Sequence, residues 1–213
     1  MKLDFTEGRL AFNPEMINIV SDIDVCIEPS PKKYSYFEID VNEDLEYEKF
    51  EINDTTEELQ VEIKLKEECI SEFNTTSITF YVVEEELFEL FVHTITSSID
   101  IDVYSIKLEA STVSGIINVM DGVCMRINSE SGFIYVDTEA CEDTEIIVRS
   151  KKAKVCVNVL DVDSYCGKVE SEIGVIYDEF GDGGEYSPYL DIKTISGNIE
   201  LTSVEEFDDE EDE

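Results

Sequence analysis

Apolar residues recur at every second position through most of the chain, the period of a β-strand with one face buried and one in water. Leu59, Val61, Ile63 and Leu65 alternate with Gln60, Glu62 and Lys64. Ile17, Ile19, Ile23, Val25 and Ile27 keep the same period, with a break at Ser21. Residues 36–41 and 47–52 read as further strands, separated by turn signals at Pro29-Ser30-Pro31 and Asn53-Asp54. Helical spacing is nearly absent. Its one candidate, residues 84–90, is short and apolar at mixed spacing, and reads better as strand.

In the second half the alternation becomes a repeat. Small residues stand at Ser97, Gly115, Gly132, Ala153, Gly174 and Gly197, at intervals of 18, 17, 21, 21 and 23 residues. Two positions after each stands a β-branched residue: Ile99, Ile117, Ile134, Val155, Ile176 and Ile199. Four positions after stand Ile101, Val119, Val136, Val157, Asp178 and Leu201, where Asp178 breaks the apolar column. Five positions before, every copy is apolar, from Val92 to Ile192; three before, every copy carries a hydroxyl, from Thr94 to Thr194. Each copy therefore predicts two short strands on either side of a tight break, where a small residue lets the backbone turn or approach its neighbour. A unit this short cannot bury its own apolar face, so the copies must stack. The hydroxyl column reads as turn and ladder hydrogen bonding, with a polar binding face as the alternative.

These features predict an all-β fold, a β-solenoid or β-helix-like stack of short strands. Residues 1–84 form an N-terminal β-strand region continuous with the stack, and 85–203 form the repeats. Residues 204–213 form an acidic tail, with eight acidic residues in the nine from Glu205 to Glu213. Like charge at that density predicts disorder.

Composition changes the picture mainly through charge. Apolar residues make up 42% of the 213, enough for a core. Against 15 Lys and Arg stand 52 Asp and Glu, a net charge of −37. A field of that sign repels phosphate backbones and anionic lipid, which points away from nucleic acid and membrane surfaces. It fits a solvated acidic surface, a basic protein partner, self-association at high salt, or weak association with divalent cations. The start of the chain lacks the apolar core of a secretory signal, and no run approaches membrane-spanning length, so the expected location is cytoplasmic.

Chemistry-bearing residues are sparse. The cysteines, Cys26, Cys69, Cys124, Cys141, Cys156 and Cys166, include no C-x-x-C pair and read as reduced structural residues. The single histidine, His93, follows the inward-facing Val92, so alternation sends it into solvent. The last interval, around Gly181, Asp182, Gly183, Gly184 and Glu185, is the expected protruding loop; calcium is conceivable there, yet EF-hand spacing is absent. No phosphate-binding loop, nucleophile elbow or H-E-x-x-H is present. Neither catalytic, cofactor-binding nor metal-binding residues are assigned, and the chain is expected not to be an enzyme.

Three segments carry a signature: Ser114-Gly115-Ile116-Ile117-Asn118-Val119, Ser131-Gly132-Phe133-Ile134-Tyr135-Val136, and Thr194-Ile195-Ser196-Gly197-Asn198-Ile199-Glu200-Leu201. They resemble the T-x-S-G-x-I-x-V repeats of the putative-adhesin family of β-strand-repeat proteins, a domain family of unknown function. The resemblance covers residues 90–203 and extends toward residue 15. It implies a β-solenoid-like stack and brings no catalytic residues with it. The expected role is a non-enzymatic interaction or scaffold protein. The alternatives are a cell-surface or envelope adhesin-like protein and, further off, a carbohydrate-active β-helix enzyme.

Overall fold

The computed structural model describes residues 7–10, 15–40, 46–55, 57–67, 76–83, 89–139, 143–160, 162, 164–182 and 187–204. Its elements are twenty β-strands. The first seven are β1 (Glu7–Arg9), β2 (Met16–Ser21), β3 (Asp24–Pro29), β4 (Tyr36–Asp40), β5 (Tyr47–Asp54), β6 (Glu58–Leu65) and β7 (Ser77–Val82). The repeat region follows with β8 (Glu89–Thr94), β9 (Ile99–Asp102), β10 (Lys107–Thr112), β11 (Ile116–Met120), β12 (Cys124–Ser129), β13 (Phe133–Glu139), β14 (Glu145–Ser150) and β15 (Lys154–Leu160). The last are β16 (Ser164–Ser171), β17 (Ile176–Asp178), β18 (Gly181–Asp182), β19 (Tyr189–Thr194) and β20 (Ile199–Val204).

The strands form two ten-stranded sheets. The first has the order β1-β4-β7-β3-β9-β11-β13-β15-β20-β17, and the second β18-β16-β19-β14-β12-β10-β8-β2-β6-β5. From β8 to β17 the chain places one strand in the second sheet and the next in the first, so each pair makes one rung. Neighbouring rungs pair in parallel, as β10 does with β12 and β11 with β13.

In-register pairing turns sequence columns into rows in space. Leu90, Leu108, Met125, Ile146 and Leu190 line one inner face. Ile99, Ile117, Ile134, Val155 and Ile199 line the other. All are buried. Each such side chain contributes about 1.5–3 kcal/mol by leaving water, so these rows supply the main drive for stacking.

The break between the two strands of a rung is fixed by the hydroxyl column and the small column together. The Thr194 hydroxyl donates to the carbonyl of Gly197 and accepts from its N–H, both at 2.8 Å. Ser150 and Ser171 accept likewise from the N–H of Ala153 and Gly174, at 2.8 and 2.9 Å. A Cβ on Gly132 would lie 2.2 Å from the carbonyl oxygen of Gly115 in the next rung, and one on Gly197 would lie 1.8 Å from that of Ala153. Gly132 also has φ +113°, a left-handed conformation that side chains resist.

Two further rungs precede the six copies visible in the sequence. The series broken at Ser21 is the rung β2/β3, and Ser21 pairs with Thr94 of the hydroxyl column. β6 and β7 form the other rung.

Rung order in space departs from chain order at both ends. β2/β3 sits between β6/β7 and β8/β9, and β19/β20 sits between β14/β15 and β16/β17. At the first end, antiparallel strands close the sheets: β5 on β6, and β4 then β1 on β7. Residues 84–88 of the helix candidate and 205–213 of the tail lie outside the described residues; Glu89 and Leu90 begin β8.

Candidate interaction surfaces

Outward positions of the strands form the surfaces on which any function must act. On the second sheet, Ser111, Asn128, Arg149 and Lys193 stand in one row across β10, β12, β14 and β19. Arg149 donates to the backbone carbonyl of Asp191 at 2.6 Å and pairs with its carboxylate. Lys107 on the same face pairs with Glu89 at 3.2 Å.

On the first sheet, the neighbouring strands β3 and β9 differ. The outward residues of β3 are Asp24, Cys26 and Glu28, and those of β9 are Asp100 and Asp102. Neither strand carries a cation. Burial pushes the carboxyls of Asp24 and Asp100 above their ordinary range, and the Asp102 charge adds to the effect on Asp100.

A groove of about 550 Å³ crosses β2, β5 and β6 on the second sheet. It is lined by the amides of Asn18, Asn53 and Gln60 with Lys49, Lys64, Glu51 and Glu62. Lys49 pairs with Glu62 and with Glu51 (3.2 Å), and Lys64 pairs with Glu62 at 2.7 Å. The Lys49 hydrogen bond, then that of Lys64, holds the Glu62 carboxyl below the ordinary range. Glycoside hydrolysis needs one carboxyl that keeps its proton near neutrality; Glu62 is driven the other way.

His93 is exposed on β8, as alternation requires, with Nδ1 2.8 Å from the Ser111 hydroxyl. Cys26, Cys124 and Cys156 are free thiols, and Cys166 is exposed. Burial, reinforced by Asp100, Glu145 and Glu200 respectively, pushes the first three up. A protonated thiol is a poor nucleophile and a poor metal ligand. Cys69, Cys141 and Gly183 to Glu185 lie outside the described residues. Among the described residues, no His, Cys, Asp and Glu cluster is arranged to hold a metal ion. No helix among them is long and apolar enough to cross a membrane.

The far end of the sheets is the least regular surface. β16 and β17 form the last rung, and their inward positions keep the apolar pattern only in part: Val169 and Ile176 hold it, but Gly167 pairs with Leu190 and Asp178 with Leu201. Tyr165 and Phe180 pack edge to face at 5.8 Å over this end, and the Tyr165 hydroxyl donates to Asp178 at 2.8 Å. Beside them Ile173 and Val175 are 78% and 68% exposed, and Tyr177 is 55% exposed.

Sequence reasoning placed His93 in solvent but missed the groove, which needs the antiparallel pairing of β5 on β6. The exception at Asp178 was the visible signal for the end of the stack.

No family model matches the chain, and no curated protein matches it. Among solved structures it is similar to a putative cell adhesion protein from Clostridium sporogenes, at a TM-score of 0.45 and 11% identity, over 93% of this chain and 98% of that one. It is also similar to a putative adhesin from Bacteroides fragilis, at a TM-score of 0.38 and 8% identity, over 93% and 95% of the two chains.

Proposed function

We propose that the chain is a non-enzymatic β-solenoid scaffold that binds protein partners through its two sheet faces. The observation that carries this reading is the contrast in charge between the β3/β9 strip of the first sheet and the strands of the second, with Lys154 on β15 paired to Glu200. β3 and β9 present only acids and a cysteine among their charged or reactive outward groups, while β10, β12, β14 and β19 each present a cation. Rows of in-register side chains repeat at about 4.8 Å, the spacing of paired strands, on a frame held by backbone ladders. Such a lattice can engage an extended complementary surface without reorganising, which lowers the entropic cost of binding.

The test is capture of partners by the immobilised full chain, followed by mass spectrometry. Two paired charge reversals serve as controls: Asp100→Lys with Asp102→Lys on the first sheet, and Lys107→Glu with Arg126→Glu on the second. Each is expected to lose a different set of captured proteins in a salt-dependent way. Capture that is identical for all three proteins would remove the face-binding reading.

A further inference from the structure

We propose that the β16/β17 end is a docking edge for an extended basic strand of a different protein, which adds to β17 as the next strand of the first sheet. The inference rests on the scaffold reading and adds a specific site and class of partner.

The edge is open and unguarded. β17 is the last strand of its sheet and, among the described residues, pairs only with β20. The Ile199 N–H donates to the Val175 carbonyl at 3.0 Å, and the Glu179 N–H donates to the Leu201 carbonyl at 3.2 Å. Residues 175 and 179 therefore face β20. Strand alternation then turns the amide and carbonyl of Ile176 and Asp178 toward the open side. Soluble proteins guard such edges with lysine, proline, bulges or covering segments. β17 reads Ile-Tyr-Asp and has neither residue.

Exposed apolar surface concentrates at the same place. Ile173 and Val175, in the turn that leads into β17, are more exposed than any other large apolar residue among those described. An added strand with alternating apolar residues would cover them, with main-chain bonds to Ile176 and Asp178 giving affinity.

Charge decides the occupant. Glu172, Asp178 and Glu179 flank the edge, on a chain of net charge −37. A second copy would bring the same acids against them, so like-charge repulsion opposes self-pairing, whereas lysine or arginine between the apolar positions is attracted.

The probe is a fluorescein-labelled octapeptide alternating lysine and valine, titrated into the full chain and followed by anisotropy. Two controls are an alternating lysine–glycine peptide of the same charge and an alternating glutamate–valine peptide. Ile176→Pro removes the outward amide at the first residue of the strand, a position where proline leaves the β20 ladder intact. Tyr177→Lys leaves the backbone untouched and adds a repelling charge. The lysine–valine peptide is expected to bind at least about tenfold more tightly than either control, and each variant to weaken it by about tenfold.

Equal binding of the two cationic peptides, or indifference to both variants, would overturn the proposal. So would a dimer in sedimentation that either variant dissolves, which would make a second copy the occupant. If the edge fails while the face reversals still change captured proteins, the scaffold reading stands without it.

Discussion

Tyr165 and Asp178 are joined by a 2.8 Å hydrogen bond across the outermost rung, so the one acid in an otherwise apolar column caps the stack instead of disrupting it. Burial, then the Asp178 bond, pushes the Tyr165 hydroxyl up to about 12. Its ordinary value is about 10. Between those values the folded chain keeps a proton that the unfolded chain releases, so stability falls as pH rises through that window. A spectrophotometric titration is expected to show a tyrosine ionising near 12 that disappears in Tyr165→Phe. The variant should also lose about 1 kcal/mol at neutral pH, measured by urea unfolding.

Gly132→Ala tests the small column. The new Cβ would meet the Gly115 carbonyl at 2.2 Å in a backbone of φ +113°. Neither the neighbouring rung nor the turn can yield without losing ladder bonds. A loss of about 2–4 kcal/mol in chemical denaturation is expected. A neutral result would mean the rungs are less closely stacked than described.

Thr194→Val keeps the shape of a fully buried side chain and removes its hydroxyl. The amide of Gly197 then loses the partner that fixes the turn, while its carbonyl keeps the bond from the Ser171 hydroxyl at 2.9 Å. Leaving the buried amide unpaired should cost about 1–3 kcal/mol. Thr194→Ser is expected to recover most of that loss, which separates the hydrogen bonds from the packing.

Asp100→Asn removes a carboxyl pushed up by burial and by Asp102. Below the ordinary carboxylate value both states hold the proton. Between that value and the raised one the folded state holds it more firmly, so stability grows as pH falls into that window. At neutral pH the charge is a burden. Solvent screening limits the gain from Asp100→Asn to about 0.5 kcal/mol or less, with a flatter pH dependence of melting between neutrality and the carboxylate range.

The repeating unit was legible in the sequence because its columns are set by stacking itself. A buried row demands apolar residues, a shared turn demands a hydroxyl, and close rungs demand a small residue. What stayed hidden is whatever depends on long-range order. The copy at Ser21 lies outside the visible repeat because the 36 residues between Ser21 and Glu58 hold β3, β4 and β5 before the next rung begins. The copies at Gly174 and Gly197 look consecutive, yet Gly197 is stacked between Ala153 and Gly174, and no column distinguishes the two orders. The groove at Lys49 and Glu62 was also out of reach. Their separation in sequence carries no sign that β5 turns back on β6.

The interleaved ends bear on how the molecule would respond to force. The last rung in the chain, β19/β20, is flanked on both sides by other rungs, as is β2/β3 near the start, while β1 lies at the margin of the first sheet against β4. Tension drawn through the chain ends would therefore strip β1 from β4 first and then meet doubly held strands at both ends. Peeling beyond that point would have to break ladders on two sides at once, and β16/β17, which precede β19/β20 in sequence but lie outside them in space, would come loose as a bystander.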